Sequence, residues 1–189
     1  MLRRGVFIVC DGSFIKYVLL GEFMKQPSVL FISEYFTPVI HGGGEINLAL
    51  TAKALAQKGL RVTVLTSWFA GLAHREMVEG VLVLRLLRTG QKVDSFAGNL
   101  QRLLFFERSV LKNVPRAVRE QDVSIIHLIG SSLGCAKKLR RLQIPIVATI
   151  ESYIALCPKG DFLYGANVDL SRWSFGRYVS ALLQSKEVG

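Results

Sequence analysis

Three consecutive glycines, Gly42, Gly43 and Gly44, stand between a loop that contains a proline and a segment with helical spacing. Glycines at the start of a helix let a ligand approach the backbone closely. The free N–H groups and the helix dipole at that end favour an anion, usually a phosphate. His41 precedes the glycines and can contact the same ligand. The alternative is that the glycines form only a flexible turn.

The spacing around these glycines excludes two common phosphate-binding loops. A dinucleotide fingerprint needs G-x-G-x-x-G, but Asn47 stands where its third glycine belongs. The second predicted strand ends at Thr66-Ser67, where an acidic residue would be needed to hold a ribose. The chain also lacks the G-K-[ST] of a P-loop. The loop is therefore neither a nicotinamide-binding loop nor an ATPase loop.

The order of the predicted elements places this loop at one edge of a sheet. Short apolar runs that alternate with helical patterns indicate parallel strands joined by right-handed crossovers. The predicted strands are Val29–Ser33, Arg61–Thr66, Val81–Leu87, Val123–Leu128 and Ile144–Ile150. The predicted helices are Glu45–Lys58, which Gly59 ends, then Ala97–Glu120, Ser131–Leu142 and Leu170–Gln184. We therefore expect an α/β, Rossmann-like three-layer domain with a mainly parallel sheet.

In such a sheet, ligands bind beyond the carboxyl ends of the strands. Three predicted loops follow strand ends, at residues 34–45, 67–79 and 151–165. His127 ends the fourth strand and is a candidate cleft residue, or a structural histidine. Tyr153 and Lys159 lie in the last loop, where Lys159 can meet a phosphate or an acidic acceptor.

The length of 189 residues suits one core. We expect residues 1–23 to be an N-terminal extension before a start at Met24, or else an extra hairpin or helix, and residues 24–189 to be the domain. Three cysteines without a CxxC pair fit a reducing compartment and predict a cytoplasmic location. The three histidines lack metal-ligand spacing, so no metal site is predicted.

A net charge of +10 indicates anionic partners. Along Ala97–Glu120, one arc carries Leu100, Leu103, Leu104, Val110, Leu111, Val114 and Val118. The opposite arc carries Arg102, Phe105, Arg108, Lys112, Arg116 and Arg119. A basic face with an aromatic ring suits an anionic membrane surface, and the alternative is an ordinary solvated face. A second cluster, Lys137, Lys138, Arg140 and Arg141, is expected to face solvent. No nucleic-acid-binding motif accompanies this charge, so no nucleic-acid partner is expected.

Residues Val29–Ser67 resemble the opening of the retaining glycosyltransferases of family 4, which have the GT-B fold. Those proteins begin with a strand, a loop with Pro and Gly-Gly, a helix ending in a Lys-Gly turn, and a strand closing in Val-Leu-Thr-Ser. The similarity continues at Glu79–Val81, Asp122–His127 and Ile144–Gly160. It covers residues 27–183.

The resemblance implies transfer of a sugar from a nucleotide-sugar donor to a saccharide or lipid-linked acceptor, without a metal or resident cofactor. It implies that His41–Glu45 face the donor phosphates and the acceptor. Many members carry a histidine where this chain has Glu151, at a position that arranges the reacting sugar. Glu151 is therefore the candidate catalytic residue, or else an ordinary polar loop residue.

The resemblance also implies a second Rossmann domain that holds most of the donor. We expect that domain to lie outside these 189 residues or on a separate subunit, and the chain alone to be inactive. Many members of this family act on lipid-linked acceptors at the cytoplasmic face of the membrane, so the resemblance implies a location at that inner face. Two other functions stay open: a non-catalytic module that binds an anionic lipid or a sugar phosphate, and a different nucleotide-binding enzyme of Rossmann topology.

Overall fold

The computed structural model describes residues 26–91 and 95–150 and the backbone of Val6–Ile8. Residues up to Thr149 belong to one compact unit. The predicted helix Leu170–Gln184 and the loop 151–165 lie outside the described residues. A single domain over residues 24–189 therefore stays a prediction.

The described strands form one mainly parallel sheet. They are β1 (Val6–Ile8), β2 (Ser28–Ile32), β3 (Arg61–Ser67), β4 (Arg75–Val78), β5 (Val81–Leu87), β6 (Ile125–Ile129) and β7 (Ile146–Thr149). Their order in the sheet is β1-β7-β6-β2-β3-β5-β4. Among these described strands, β4 runs antiparallel to β5 and every other neighbouring pair is parallel. The predicted three-layer α/β fold is confirmed.

The described helices are α1 (Gly43–Gln57), α2 (Phe96–Gln121) and α3 (Ala136–Leu139). They cover the two faces of the sheet, since each face is lined by alternate residues of the strands. On one face Leu48, Ala52 and Leu55 of α1 pack on apolar residues of β2, β3 and β5. On the other face Phe106, Val110, Val114 and Ala117 of α2 pack on the core of β2, β3 and β6. The strands are therefore buried on both sides, as their continuous apolar runs predict.

The N-terminal segment contributes an edge strand. Val6–Ile8 pair in parallel with β7, in the register Val6 opposite Ile146. At least this part of the segment predicted as an extension before Met24 therefore belongs to the sheet.

The segment predicted as a loop over residues 67–79 contains β4, so that prediction is wrong for Arg75–Val78. β4 and β5 form a hairpin through Glu79 and Gly80, whose φ angles are +49° and +83°. Two positive φ angles in a two-residue turn match the twist of a hairpin. Exposed and half-buried residues alternate in this short edge strand, so its apolar signal is weak.

The helix predicted over Ser131–Leu142 is also wrong in type, because it is α3 flanked by two 3₁₀ turns, Gly130–Cys135 and Arg140–Leu142. Ser132 explains the first turn. Its hydroxyl accepts the N–H of Ile129 at 2.9 Å and donates to the carbonyl of Ile32 at 2.8 Å. A serine that bonds nearby backbone groups in this way competes with regular helix formation.

Helix α2 continues past Pro115 to Gln121, and contacts with the preceding residues fix its N-terminal end. The Ser95 hydroxyl caps it by accepting the N–H of Gly98 at 2.9 Å. Its first turn packs so closely that a Cβ on Gly90 would lie 2.1 Å from the carbonyl oxygen of Gly98. Glycine at position 90 therefore lets the chain after β5 lie directly against the start of α2.

Candidate ligand site at the carboxyl edge of the sheet

The segment His41–Glu45, which we call the glycine loop, lies at the start of α1, as its sequence predicts. Gly42 is the N-cap residue with extended backbone, and α1 begins at Gly43. The Glu45 side chain folds back, so that its Oε2 accepts the Gly42 N–H at 2.7 Å. This is half of a capping box, and it places a carboxylate at the positive end of the helix dipole.

Gly42 and Gly43 are not required by packing within the described chain. A Cβ built on Gly43 meets no described atom within 4 Å, and one on Gly42 first meets Glu45 Oε2 at 3.6 Å. Neither residue has a positive φ that would demand glycine. The first N–H groups of a helix lack partners within the helix itself. Gly42 and Gly43 therefore leave open space at a donor-rich helix end.

Aromatic contacts join the glycine loop to the loop after β3. His41 is exposed, and its ring packs edge-on against Tyr35 with 4.5 Å between centroids. On its other side Tyr35 contacts Phe69 at 5.9 Å. Tyr35 thus positions the histidine that precedes the glycines.

Next to Tyr35 in the chain, the buried residue Glu34 connects four segments through its carboxylate and its backbone carbonyl. Glu34 is 4% exposed. One of its carboxylate oxygens accepts the hydroxyl of Thr89, and the other accepts the hydroxyl of Ser131 at 2.7 Å. Its backbone carbonyl accepts the Thr66 hydroxyl at 3.1 Å and the Ser67 N–H at 3.2 Å. We call Glu34, Thr89 and Ser131 the Glu34 cluster.

Tyr35 contributes to the same cluster from the next position in the chain. Its side chain lies close enough to those of Glu34 and Thr89 to interact with them electrostatically. Burial raises the pKa of Tyr35 well above its usual value, and the charge of Glu34 raises it further. The phenol therefore stays protonated at neutral pH.

A buried arginine fixes the loops after β2 and β3. The side chain of Arg85, in β5, is 1% exposed. Its two terminal nitrogens donate to the carbonyls of Thr37 at 2.8 Å and Ala73 at 3.2 Å, and it pairs with Glu76. Its Nε is buried without a hydrogen-bond partner among the described residues. Arg85 therefore fastens both loops to β5.

His127 lies on β6, where its Nε2 is 2.6 Å from the hydroxyl of Thr149 and its ring stacks on Phe31 at 4.8 Å. Burial lowers the pKa of His127 to about 4. The imidazole is therefore neutral at pH 7 and joins β6 to β7. Its predicted role as an acceptor or cleft contact stays a prediction.

The residues of the predicted basic face of α2 are not equally exposed in the structure. Arg108, Lys112 and Arg116 are exposed, and Phe105 is 42% exposed with the Arg88 guanidinium 5.6 Å from its ring centre. Arg102 differs, because it is half-buried and its charge lowers the pKa of Tyr35. Arg102 therefore belongs to the carboxyl edge of the sheet.

Glu151, Tyr153 and Lys159 lie outside the described residues, so their predicted roles stay predictions. Within the part of the chain that is described, no three His, Cys, Asp or Glu side chains group so as to hold a metal ion. None of the described helices is long and apolar enough to span a membrane.

The sequence analysis did not select Glu34, Arg85, Thr89 or Ser131. Two of them carry a visible signal. Glu34 comes two residues after a buried strand, at the edge where ligands bind. Arg85 interrupts the otherwise apolar strand VLVLRLL, and a charge in a buried strand needs partners. Thr89 and Ser131 carry no comparable signal.

Comparison with known proteins decides the family. The family model described as Glycosyltransferase Family 4 matches residues 41–185, from His41 of the glycine loop onward. The chain belongs to glycosyltransferase family 4. The resemblance found in the sequence is thereby confirmed.

A solved structure supports the fold of this family 4 domain. The chain resembles sucrose-phosphate synthase from Thermosynechococcus elongatus with a TM-score of 0.56 at 16% sequence identity. The match covers 82% of this chain and 39% of that one, so the family 4 domain spans about two fifths of that enzyme. A comparison with curated protein sequences gives no match.

Proposed function

We propose that this family 4 domain is the acceptor-side half of a glycosyltransferase that moves a sugar from a nucleotide-sugar donor to a saccharide or lipid-linked acceptor in glycan synthesis. The observation that carries the proposal is the open helix end at Gly42 and Gly43, which stands at the carboxyl edge of a parallel sheet. A ligand that must approach the backbone explains glycines that no packing contact among the described residues requires.

The surrounding groups suit a ligand that is part phosphate and part sugar. The N–H groups of the first turn of α1 can donate to phosphate oxygens. His41 and the Glu45 carboxylate are exposed or half-exposed and can bond sugar hydroxyls. The Glu34 cluster and Arg85 hold the loops in fixed positions, which favours binding because less ordering is required.

The complete reaction needs a second domain, which would form the opposite side of the ligand-binding cleft. The chain corresponds to 39% of the sucrose-phosphate synthase chain, and the rest of such a protein would supply most of the donor site. We propose that residues 1–189 alone bind ligands weakly and transfer no sugar, and that they act at the cytoplasmic face of a membrane. No resident metal or cofactor is part of this proposal.

Ligand-observed NMR on the full chain tests the site. The probes are pyrophosphate, a panel of nucleoside diphosphate sugars, and phosphorylated sugars. Gly43→Ala adds a methyl group at the open helix end, where no described atom stands in its way. We expect unchanged or slightly higher thermal stability, because alanine favours helix, and about tenfold weaker binding of these probes.

Gly134→Ala is the matched control. A Cβ there also meets no described atom within 4 Å, and Gly134 lies outside the glycine loop. It should bind every probe as the wild type does. Equal binding by Gly43→Ala and wild type, or no binding of any probe class to the wild type, would contradict the proposal.

A further inference from the structure

The two halves of α2 bury different amounts of apolar surface. In the second half Val110 and Val114, which belong to the apolar arc, lie in the core together with Ala117. In the first half, Leu100, Leu103 and Leu104 are 45%, 72% and 45% exposed. These leucines therefore share the helical arc of the valines but not their burial.

The reason lies in how the first turns of α2 meet the rest of the domain. Gly98, Phe106 and Ser109 occupy the inward side of this half, and Ser109 accepts the backbone N–H of Arg88 at 3.0 Å. Positions 100, 103 and 104 fall on one other face, because residues three and four apart are neighbours on a helix. We call Leu100, Leu103 and Leu104 the leucine ridge.

Cations lie along one side of the leucine ridge and beyond its C-terminal end. Along the side stand the exposed Arg108 and Lys112, near Phe105. Beyond the end, Glu107 follows Leu103 and Leu104 on the same helix face and pairs with Lys138. This ion pair brings the exposed cluster around α3 next to the ridge: Lys137, Lys138, Arg140 and Arg141.

The fold thus brings two basic clusters that lie far apart in the sequence next to one apolar ridge. Exposed leucines in a row are costly in water, and contiguous apolar patches on a domain surface mark interaction sites. A surface with exposed leucines and cations at its rims complements an anionic bilayer. Leucines can enter the interface, and lysines and arginines near it contribute about 1 kcal/mol each.

We propose that the leucine ridge and its two basic rims form a docking surface for an anionic lipid bilayer. The charge complementarity carries the choice of partner, since positive charge runs along one flank of the apolar strip and beyond its C-terminal end. Docking there would set the carboxyl edge of the sheet near the bilayer, because α2 begins at that edge. The inference does not rest on sugar transfer, and it holds or fails independently of it.

Co-sedimentation of the full chain with vesicles tests the proposal. One set of vesicles contains phosphatidylglycerol and phosphatidylcholine, and the other contains phosphatidylcholine alone. We expect binding to the anionic vesicles, which weakens as salt is raised, and little binding to the neutral ones. Equal binding to both kinds of vesicle, or none to the anionic kind, would overturn the proposal.

Two variants separate the ridge from the rims. The double variant Leu103→Ser with Leu104→Ser should bind anionic vesicles at least tenfold more weakly. The double variant Arg108→Glu with Lys112→Glu should abolish the preference for anionic lipid. All four side chains are exposed, so circular dichroism should show an intact fold.

Two matched control variants change exposed residues in α1 and at its C-terminal end. Leu50→Ser removes a leucine that is 64% exposed outside the ridge, and Lys58→Glu reverses an exposed cation away from the rims. Both controls should bind as the wild type does, and losses equal to those of the ridge variant would overturn the proposal. Sedimentation velocity adds a second check, since a dimer that Leu103→Ser dissociates would show that a second copy covers the ridge instead.

Discussion

Two regions at the carboxyl edge of the sheet, the Glu34 cluster with Arg85 and the glycine loop, differ in the hydrogen bonds that fix their positions. The Glu34 cluster and Arg85 are buried, and nearly all of their polar atoms are bonded to loops far along the chain. The glycine loop is exposed, and its described hydrogen bond runs only from Gly42 to Glu45, three residues away. The buried region therefore supplies rigidity, and the glycine loop supplies access to the backbone.

This difference separates the effects of substitution. Changes in the buried region should alter the free energy of unfolding, and changes in the glycine loop should alter ligand binding with little effect on stability.

Replacing the buried carboxylate tests the rigid region most strongly. Glu34→Ala leaves the hydroxyls of Thr89 and Ser131 without their acceptor, and each buried unpaired group costs about 1–3 kcal/mol. We expect a loss of about 3 kcal/mol in the free energy of unfolding, measured by urea denaturation. Glu34→Gln keeps one acceptor oxygen and should lose less. A loss below about 1 kcal/mol for Glu34→Ala would contradict the role given to the cluster.

The second prediction concerns pH. The pKa of His127 is about 4 in the folded chain, against about 6.5 for an unfolded histidine, so between these values the unfolded chain binds more protons. Stability is therefore complete above about pH 6.5 and falls as the pH is lowered toward 4, by roughly 2–3 kcal/mol in total.

His127→Gln provides the control for this pH dependence. Glutamine can still bond Thr149 but does not titrate in this range, so the stability of the variant should fall less between these two pH values. The ring proton resonances of His127 should also titrate with a midpoint near pH 4. A midpoint near the unperturbed value of about 6.5 would show that the ring is not desolvated.

The third prediction concerns the exposed glycine loop. Glu45→Gln keeps an oxygen that can accept the Gly42 N–H but removes the negative charge beside the open helix end. If phosphates bind there, the affinity for pyrophosphate in isothermal titration should rise about fivefold, since a like charge a few ångströms away costs about 1 kcal/mol. Stability should change by less than about 0.5 kcal/mol.

Glu79→Gln is the matched control, because Glu79 is an exposed carboxylate at the β4–β5 turn and pairs with Lys53. It should leave pyrophosphate affinity unchanged. A fall in affinity for Glu45→Gln would show that the loop uses this carboxylate to accept hydrogen bonds from its ligand, and that the phosphates lie elsewhere.

The fold was largely predictable because its signals are local. Apolar runs such as Val81–Leu87 gave the strands directly, and Gly59, whose φ is +86°, ended α1 as expected. The errors arose where local signals are weak. Strand β4 alternates exposed and half-buried residues, and Ser132 diverts the chain into a 3₁₀ turn through bonds to residues at the end of β2 and β6.

The glycine loop was also predictable, because its chemistry depends on adjacent residues at a helix start. The Glu34 cluster and Arg85, which form the buried half of the site, were not predictable from the sequence. Glu34 meets Thr89 and Ser131 across 55 and 97 residues of sequence, and no spacing rule relates such positions. Their proximity follows from the order of strands in the sheet.

The sequence by itself determined the α/β alternation, the glycine loop at the start of α1 and the resemblance to family 4. Each of these features depends on residues that are close together in the sequence. Only the tertiary structure decided which polar groups hold the loops, and that the leucines of the first half of α2 face outward. Helical periodicity places Leu103 and Val110 on one arc, but whether an arc is covered depends on what packs against each turn. Packing between distant segments settles that, and it has no local signature.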